Sequence, residues 1–230
     1  MDVAVIDMAG TTVREDGLVE ASFRAAIERV GAPFPHDFHA RFTAVRGAAK
    51  IDMFTALLDG DAALAAGAEC VFGDVLADAI RAGGVSAMPG AVDAITRLRA
   101  AGVAVALVTG FAGPIRDVLV ETLGWSSLAD LVLSSSDVRR GRPAPDLVLT
   151  AALELGAGSM ARVAVAGDTV NDLVAGTRAG AGIVAGVLTG AHGIAELGIA
   201  PHTHIVPTVA EFATVVTTSS SSSDRPGPRG

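Results

Sequence analysis

The segment VAVIDMAGTT, residues 3–12, decides the fold of this chain. Residues 3–6 are small or β-branched apolar residues without polar alternation, which is typical of a strand buried on both faces of a parallel sheet. Asp7 ends the run, and the glycine and threonines after it predict a polar loop. In an open parallel sheet, ligands bind at the carboxyl ends of the strands, so Asp7 is the first candidate functional residue.

The sequence after this strand has a helical pattern. Apolar residues recur at helical spacing from Val19 to Val30, from Phe38 to Val45 and from Ile51 to Leu58. A fourth helix is predicted from Leu64 to Ile80, with an apolar face formed by Leu64, Ala68, Val71, Val75 and Ala79. Residues 18 to about 82 are therefore expected to be an all-helical block.

From residue 89 onward, helical patterns alternate with continuous apolar strands. These strands are predicted at Val103–Val108, Leu131–Leu133, Val163–Ala166 and Ile183–Val187. The alternation predicts an α/β fold with a doubly wound, Rossmann-like parallel sheet that includes residues 3–6. The expected organisation is an α/β core of residues 1–13 and 88–217, a helical cap of residues 14–87 and a disordered serine-rich tail of residues 218–230.

Composition narrows the range of partners. The 230 residues carry 17 Lys and Arg against 25 Asp and Glu, a net charge of −8, which argues against a nucleic-acid-binding surface. No apolar run reaches the roughly 18 residues that cross a bilayer, and the first residues lack the basic region of a signal peptide. The single cysteine, Cys70, cannot form an intrachain disulfide. We therefore expect a cytoplasmic protein that binds a small molecule, with no nucleic-acid or membrane partner and a homodimer as the candidate assembly.

Several polar residues follow predicted strands and should meet at the ligand-binding edge of the sheet. Asp7 ends the first strand, Thr109 lies in LVTG, Arg142 lies in the GRPAPD loop, and GDTVND supplies Asp168 and Asp172. Carboxylate oxygens are ligands that Mg²⁺ prefers, whereas hydroxyl and guanidinium groups can donate to phosphate oxygens. A carboxylate can also attack phosphorus. The set predicts phosphoryl chemistry with Mg²⁺ as the cofactor.

The order of these motifs resembles that of the haloacid dehalogenase superfamily, over nearly the whole chain apart from the tail. The resemblance implies that Asp7 is the nucleophile, which forms an aspartyl-phosphate, and that Thr109 hydrogen-bonds the phosphoryl group. The implied metal-binding positions are Asp7, Ala9 through its backbone carbonyl, Asp168 and Asp172. Substrate contacts are expected from the neighbouring positions Ala9, Gly10, Thr11 and Gly110.

Two departures narrow the resemblance to one branch. Most phosphatases of the superfamily carry a second aspartate two residues after the nucleophile, where this chain has Ala9, and the usual lysine of the third motif is here Arg142. DxAGTT together with GRP resembles the phosphonatase, or phosphonoacetaldehyde hydrolase, branch, in which carbon rather than oxygen leaves phosphorus. In that branch a cap lysine forms an imine with the substrate aldehyde. The segment RGAAKID, residues 46–52, places Lys50, the only lysine of the chain, at that position.

Imine chemistry accounts for the absence of an acid at position 9. A protonated imine beside the C–P bond can accept the electrons of that bond and become an enamine, so no alkoxide needs a proton. The lysine must first become neutral, which requires burial or nearby cations to lower its pKa from about 10.4. Arg46 and Met53 replace a methionine and a histidine of the phosphonatase pattern, and both are expected beside the substrate.

Two other functions remain open at the level of sequence. A phosphomonoesterase of the same superfamily could act on a small phosphorylated metabolite, although Ala9 leaves no obvious acid for the leaving alkoxide. A phosphoacceptor signalling module also combines aspartate, magnesium and threonine on a parallel sheet, but it needs neither the long helical insertion nor the GDxxxD motif. The leading prediction is a magnesium-dependent hydrolase that cleaves a small phosphonate aldehyde.

Overall fold

The computed structural model describes residues 1–46 and 48–222. In chain order its strands are β1 (Val3–Asp7), β2 (Val13–Arg14), β3 (Ser86–Ala87), β4 (Ala104–Val108), β5 (Leu131–Leu133), β6 (Val163–Gly167), β7 (Ile183–Val187) and β8 (His204–Val206). Its helices are α1 (Leu18–Arg29), α2 (Phe38–Val45), α3 (Lys50–Leu57), α4 (Ala62–Arg81), α5 (Ala91–Ala100), α6 (Gly113–Thr122), α7 (Asp146–Glu154), α8 (Val170–Ala179), α9 (Ile194–Gly198) and α10 (Val209–Ser222).

Within the described residues, six strands form one sheet in the order β5-β4-β1-β6-β7-β8, and every neighbouring pair is parallel. The predicted α/β class with a doubly wound parallel sheet is confirmed. β1 is a central strand, paired with β4 on one side and β6 on the other. The carboxyl ends of these three strands therefore meet in the middle of one edge. Strand β8 and helices α9 and α10 extend the fold past the last element that we predict from sequence.

The core has one apolar layer on each side of the sheet, because alternate residues of a strand face opposite ways. Ala4 and Ile6 pack in the same cluster as residues of α5, α6 and α10. Val3 and Val5 pack instead with residues of α7 and α8. All four side chains are fully buried, which explains why the β1 sequence is continuously apolar.

The four helices between β2 and β3, which we refer to as the cap, pack around a cluster of phenylalanine rings. The ring of Phe23 on α1 lies 4.3 Å from that of Phe54, 4.6 Å from Phe72 and 5.2 Å from Phe42, measured between centroids. Because these residues come from α1, α2, α3 and α4, the cluster joins all four helices. The short antiparallel pair β2–β3 joins the two segments that connect these four helices to the rest of the chain.

The buried face of α4 differs from the predicted one. The fully or nearly fully buried side chains are Ala65, Ala68, Phe72, Leu76, Ala77 and Ile80, whereas Val71, Val75 and Ala79 are only partly buried. Alanine and glycine occupy much of both faces of this helix, so apolar spacing does not choose between them. Phe72 selects the buried face, because its ring packs against Phe23 and Phe54.

The end of the chain also differs from the prediction. Helix α10 continues to Ser222 and so enters the segment 218–230 that we predict to be disordered. Hydroxyl groups support this last part, since Thr218 Oγ1 donates to the Thr214 carbonyl and Ser219 Oγ to the Val215 carbonyl, at 2.9 Å each. Residues 223–230 of the predicted tail lie outside the described residues. No helix in the described part of the chain combines the length and apolar character needed to cross a membrane.

Replacing Phe23 with alanine should destabilise the cap strongly. The side chain has no exposed surface and contacts three other rings, so we expect a loss of about 3–5 kcal/mol in the free energy of unfolding. Urea denaturation of the wild type and of Phe23→Ala measures it. Phe34→Ala is the matched control, because Phe34 is 37% exposed. Equal losses in the two variants would contradict a central role for Phe23.

Candidate active site

The predicted polar residues meet at the carboxyl ends of the three central strands. Asp7 is the last residue of β1, Thr109 directly follows β4, and Asp168 directly follows β6. Each of these residues is buried, with at most 3% of its surface exposed. Parallel pairing brings them together, since β1 pairs in register with both neighbours along nearly its full length.

Three carboxylates at this edge form a compact acidic cluster. Asp7, Asp168 and Asp172 each offer an oxygen atom, and the three oxygens lie within 4.8 Å of one another. All three residues are buried. A hard divalent cation prefers carboxylate oxygens at such spacing, so the donor set fits a metal site.

Asp168 is held in place by the loops around it. Its Oδ2 accepts from the Ala191 amide at 2.6 Å, and its Oδ1 accepts from Thr11 Oγ1 at 3.3 Å. A Cβ atom at Gly10 or at Gly190 would overlap the Asp168 carboxylate. Two glycines therefore provide the space that this carboxylate fills, and the left-handed φ of +87° at Gly10 strengthens the requirement for glycine there.

Asp172 has a structural role in addition to its place in the cluster. It is the third residue of α8, whose N-cap is Thr169, and the two residues form a capping box. Asp172 Oδ2 accepts from the Thr169 amide at 3.0 Å and from Thr169 Oγ1 at 2.5 Å. This leaves Oδ1 to face the cluster, where it accepts from Arg142.

Arg142 counterbalances the negative charge of the cluster. Its guanidinium forms ion pairs with Asp7, at 2.6 Å, and with Asp172. Burial raises the pKa of Asp7 well above its ordinary value, the charges of Asp172 and Asp168 raise it further, and Arg142 opposes both effects. Burial and the charge of Asp172 likewise raise the pKa of Asp168 to about 6. Burial is therefore the largest cause of both raised pKa values, and Arg142 offsets it only in part.

The loop after β4 supplies the hydroxyl group of the site. Thr109 Oγ1 accepts from the Phe111 amide at 3.2 Å, which fixes the side chain and leaves its hydroxyl proton for another acceptor. A Cβ at Gly110 would lie 3.1 Å from the Arg142 guanidinium, so a small residue lets the arginine approach. The carboxylates, Thr109 and Arg142 thus surround one point at the sheet edge.

A cavity of about 650 Å³ lies between this edge and the cap. Lys50, the first residue of α3, lines it from the cap side, and Asp7 lines it from the core. The Lys50 Nζ lies 5.3 Å from the centroid of the Phe111 ring and 4.0 Å from Met53 Sδ. Burial, with a further contribution from Arg142, lowers the pKa of the Lys50 amine to about 8.

Arg46 and Met53 also line this cavity, as the sequence predicts. Arg46 is paired with Glu15, whose Oε1 lies 3.1 Å from the arginine Nη2. The other oxygen of Glu15 accepts from the Val19 amide in the first turn of α1, at 2.9 Å. Glu15 therefore ties the segment that enters the cap to the segment that precedes Lys50.

Most of the predicted site residues face one cavity, but two do not. Those that line it are Asp7, Ala9, Arg46, Lys50, Met53, Thr109, Gly110, Arg142, Asp168 and Asp172. Gly10 and Thr11, predicted to contact substrate, lie behind Asp168 and support it. Sequence reasoning missed Glu15, Glu69 and Phe111, which also line the cavity. Phe111 lies two residues after Thr109, so its closeness to that motif was a usable signal. Glu69 gave no such signal, because the face that the sequence predicts for α4 does not include it.

Comparisons with known proteins agree with this geometry. The sequence model of the haloacid dehalogenase-like hydrolases matches residues 1–180. The chain therefore belongs to the haloacid dehalogenase-like hydrolase family. Membership favours a hydrolase over a phosphoacceptor signalling module.

Individual relatives include both phosphonatases and phosphatases. The chain is 35% identical over 104 residues to a phosphonoacetaldehyde hydrolase of Nitratidesulfovibrio vulgaris, an alignment that covers 45% of this chain and only 37% of that enzyme. It is 34% identical over 123 residues to a probable phosphatase of Dickeya dadantii, covering 54% of this chain and 53% of the relative. The crystal structure of a phosphonoacetaldehyde hydrolase-like protein from Oleispira antarctica superposes with a TM-score of 0.80 at 20% identity, over 98% of this chain and 95% of that one. The structural likeness supports the fold.

Replacing Asp168 with asparagine should stabilise the metal-free protein while removing its response to Mg²⁺. The pKa of Asp168 is about 6 in the folded protein against an ordinary 3.8, so the folded state holds a proton that the unfolded chain releases. The resulting destabilisation develops as the pH rises from about 4 to about 6 and is complete at pH 7. Asp168→Asn should therefore unfold with about 1–3 kcal/mol more free energy than wild type at pH 7, and with no gain at pH 3.

Thermal unfolding with EDTA and with Mg²⁺ measures both effects. Mg²⁺ should raise the melting temperature of the wild type and leave that of Asp168→Asn unchanged. The control is Asp74→Asn, because Asp74 is exposed on α4 and lies outside the cavity. Asp130 is less suitable, because its carboxylate accepts from Arg99 and from a strand amide. If Asp74→Asn stabilised the protein as much as Asp168→Asn does, the effect would not come from the buried cluster.

Proposed function

We propose that this protein is a magnesium-dependent, phosphonatase-like hydrolase that cleaves a small phosphonate aldehyde, such as phosphonoacetaldehyde or a relative, through a Lys50 imine and an Asp7 aspartyl-phosphate. One observation carries the proposal. The only lysine of the chain lies in the same cavity as the candidate nucleophile, and its desolvated amine has a pKa of about 8. At pH 7, about a tenth of such an amine is neutral and able to attack a carbonyl carbon.

The proposed reaction has one step at Lys50, on the cap side of the cavity, and another at Asp7, on the core side. At the cap end, the Lys50 nitrogen forms a bond to the aldehyde carbon, and loss of water leaves a protonated imine. At the core end, an Asp7 oxygen attacks phosphorus, and the electrons of the C–P bond move into the imine to give an enamine. Protonation of the enamine carbon and hydrolysis of the resulting imine release the aldehyde product. Hydrolysis of the aspartyl-phosphate releases phosphate and regenerates Asp7.

Asp7, Asp168 and Asp172 would hold Mg²⁺, with the backbone carbonyl of Ala9 as a further candidate ligand. When bound, the ion supplies positive charge for the phosphoryl oxygens and for the ionised Asp7. Arg142 adds a second cation beside Asp7, and the Thr109 hydroxyl is placed to donate to a phosphoryl oxygen. Together these groups favour the ionised, nucleophilic form of Asp7, which burial alone disfavours.

Ala9 distinguishes this mechanism from ester hydrolysis. It lines the cavity close to Asp7, at a position from which an aspartic acid could protonate a leaving alkoxide. A methyl group cannot do so. Cleavage of a C–P bond through an enamine needs no proton at this position during phosphoryl transfer, so the small residue is compatible with it.

A phosphomonoesterase acting on a small phosphorylated metabolite is the second candidate. The similarity to the probable phosphatase of Dickeya dadantii favours it, since that alignment covers more of both chains than the alignment with the phosphonoacetaldehyde hydrolase does. The two functions share Asp7 and the acidic cluster. They differ in their dependence on Lys50.

Asp7→Asn should abolish turnover and leave the fold intact. The amide is nearly isosteric but cannot attack phosphorus, and it also removes one charge from the acidic cluster. Phosphate release from phosphonoacetaldehyde, measured with Mg²⁺ and with EDTA, should fall at least a thousandfold relative to wild type, and circular dichroism should be unchanged. A variant that retains activity within tenfold of wild type, equivalent to about 1.4 kcal/mol of barrier, excludes Asp7 as the nucleophile.

Borohydride should trap an aldehyde on Lys50 and inactivate the protein. Since imine formation needs the neutral amine, the trapping rate should rise about tenfold from pH 6 to pH 7 and level off above the pKa of about 8. Peptide mass mapping locates the adduct, because the N-terminal amine is the only other primary amine of the chain.

Lys50→Arg is the decisive variant for the choice between the two functions. It keeps the positive charge but cannot form an imine, so it should eliminate C–P cleavage. If the wild type instead hydrolyses phosphate esters well, resists borohydride with every aldehyde tested and tolerates Lys50→Arg, the phosphomonoesterase is the correct function.

A further inference from the structure

Glu69 stands out as a carboxylate on the inward side of α4. It comes directly after the buried Ala68 and three residues before the buried Phe72, so it shares their side of the helix. The residue is partly buried and lines the cavity between cap and core.

The Glu69 carboxylate forms neither a hydrogen bond nor an ion pair with the described residues. The other acidic residues around the cavity differ in this respect. Asp7 and Asp172 pair with Arg142, Asp168 accepts from Thr11 and Ala191, and Glu15 pairs with Arg46. Asp52 also lines the cavity, but it is exposed in the first turn of α3. Glu69 is therefore the partly buried carboxylate of the cavity that is not committed elsewhere.

The charge of Glu69 acts on the Lys50 amine. Besides burial, the pKa of that amine responds to the charges of nearby residues. Arg142 and Arg46 lower it, whereas Asp7 and Glu69 raise it. Asp7 is paired with Arg142 and is the proposed nucleophile toward phosphorus. Of these two carboxylates, Glu69 is the one without an ion pair in the described part of the chain, and it lines the same cavity as Lys50.

We propose that Glu69 is a proton-transfer residue of this enzyme, which accepts a proton from Lys50 and returns it to the oxygen atom that leaves the aldehyde as water. This inference rests on the proposed function, because it assigns a group to imine formation at Lys50. It places a catalytic carboxylate on the cap, separate from the acidic cluster at the sheet edge.

The proposed step balances in protons and electrons. Glu69 takes one proton from the Lys50 ammonium group, and the freed lone pair forms the N–C bond while the carbonyl π electrons move to oxygen. A second proton passes from nitrogen to that oxygen. Glu69 then returns its proton to the hydroxyl group as the C–O bond breaks, water leaves, and the nitrogen lone pair closes the C=N bond. The net change converts an ammonium group and an aldehyde into a protonated imine and water.

The test measures the rate of imine formation without requiring turnover of a phosphonate. The full-length protein is mixed with propionaldehyde and enough sodium cyanoborohydride to make the trapping rate independent of reductant, and intact mass gives the labelled fraction over time. Glu69→Gln should slow labelling at least tenfold and reach the same final fraction, since a proton-transfer group changes a rate and not the number of reactive amines. Lys50→Arg should leave only labelling of the N-terminus.

Two further variants separate proton transfer from packing. Glu69→Ala should be as slow as Glu69→Gln, and added formate should restore its rate at least fivefold, because a small carboxylate can occupy the vacated space. Asp74→Asn removes a charge from the exposed side of the same helix and should label at the wild-type rate. Melting temperatures with and without Mg²⁺ show whether each variant keeps the fold and the metal site.

Each outcome decides between the possibilities. Labelling of Lys50 in the wild type at a rate that Glu69→Gln does not change overturns the role of Glu69 and leaves the proposed function standing. If the Glu69 variants label slowly, reach a lower final fraction and are not rescued by formate, the substitution acts through packing, and the proton-transfer role of Glu69 is also overturned. If the wild type is not labelled at Lys50 by any aldehyde, the imine mechanism fails and the assignment of Glu69 fails with it.

Discussion

The ion pairs of Arg142 are the interaction on which the rest of the site depends. Parallel pairing of β1, β4 and β6 forces Asp7 and Asp168 into one buried corner, and the capping box of α8 adds Asp172. Like charges at this spacing repel strongly in a medium from which water is largely excluded. The guanidinium bridges Asp7 and Asp172 and offsets part of that repulsion. Burial and the charge of Asp172 nevertheless raise the pKa of Asp168 to about 6, so this corner would favour a bound cation.

The cap presents the opposite electrostatic problem. In the proposed mechanism Lys50 is a cation that must become neutral, and the cavity favours this by burying the amine and by placing Arg142 and Arg46 nearby. The effect of Arg46 on Lys50 is partly offset, because Glu15, in the segment that enters the cap, pairs with Arg46. Burial therefore disfavours the charged form of both proposed reacting groups, the Asp7 carboxylate and the Lys50 ammonium. In the proposed mechanism the neutral Lys50 amine is the nucleophile toward the aldehyde, whereas Asp7 must stay ionised and so needs the compensating cations.

The sequence predicts the α/β class and most of the elements because their signals are local. Continuous apolar runs mark the buried strands, and the rule that ligands bind at the carboxyl ends of parallel strands selects Asp7, Thr109 and Asp168. The Lys50 position follows from a short motif at the start of α3. Elements after β7 were less predictable, since β8 is only three residues long and the serines at the end of α10 are poor evidence for a helix.

The sequence by itself determined which candidate residues meet at the sheet edge, because their places depend on the strand that each one follows. The tertiary structure alone decided which residues support or face them. Thr11 serves Asp168 instead of a substrate, since the β1 loop turns back toward the loop after β7. Glu69 faces the cavity because the packing of Phe72 against Phe23 sets the rotation of α4, a choice that its alanine-rich sequence leaves open. Helical rotation and long-range ion pairs arise from contacts between segments distant in the chain, and local sequence patterns do not encode them.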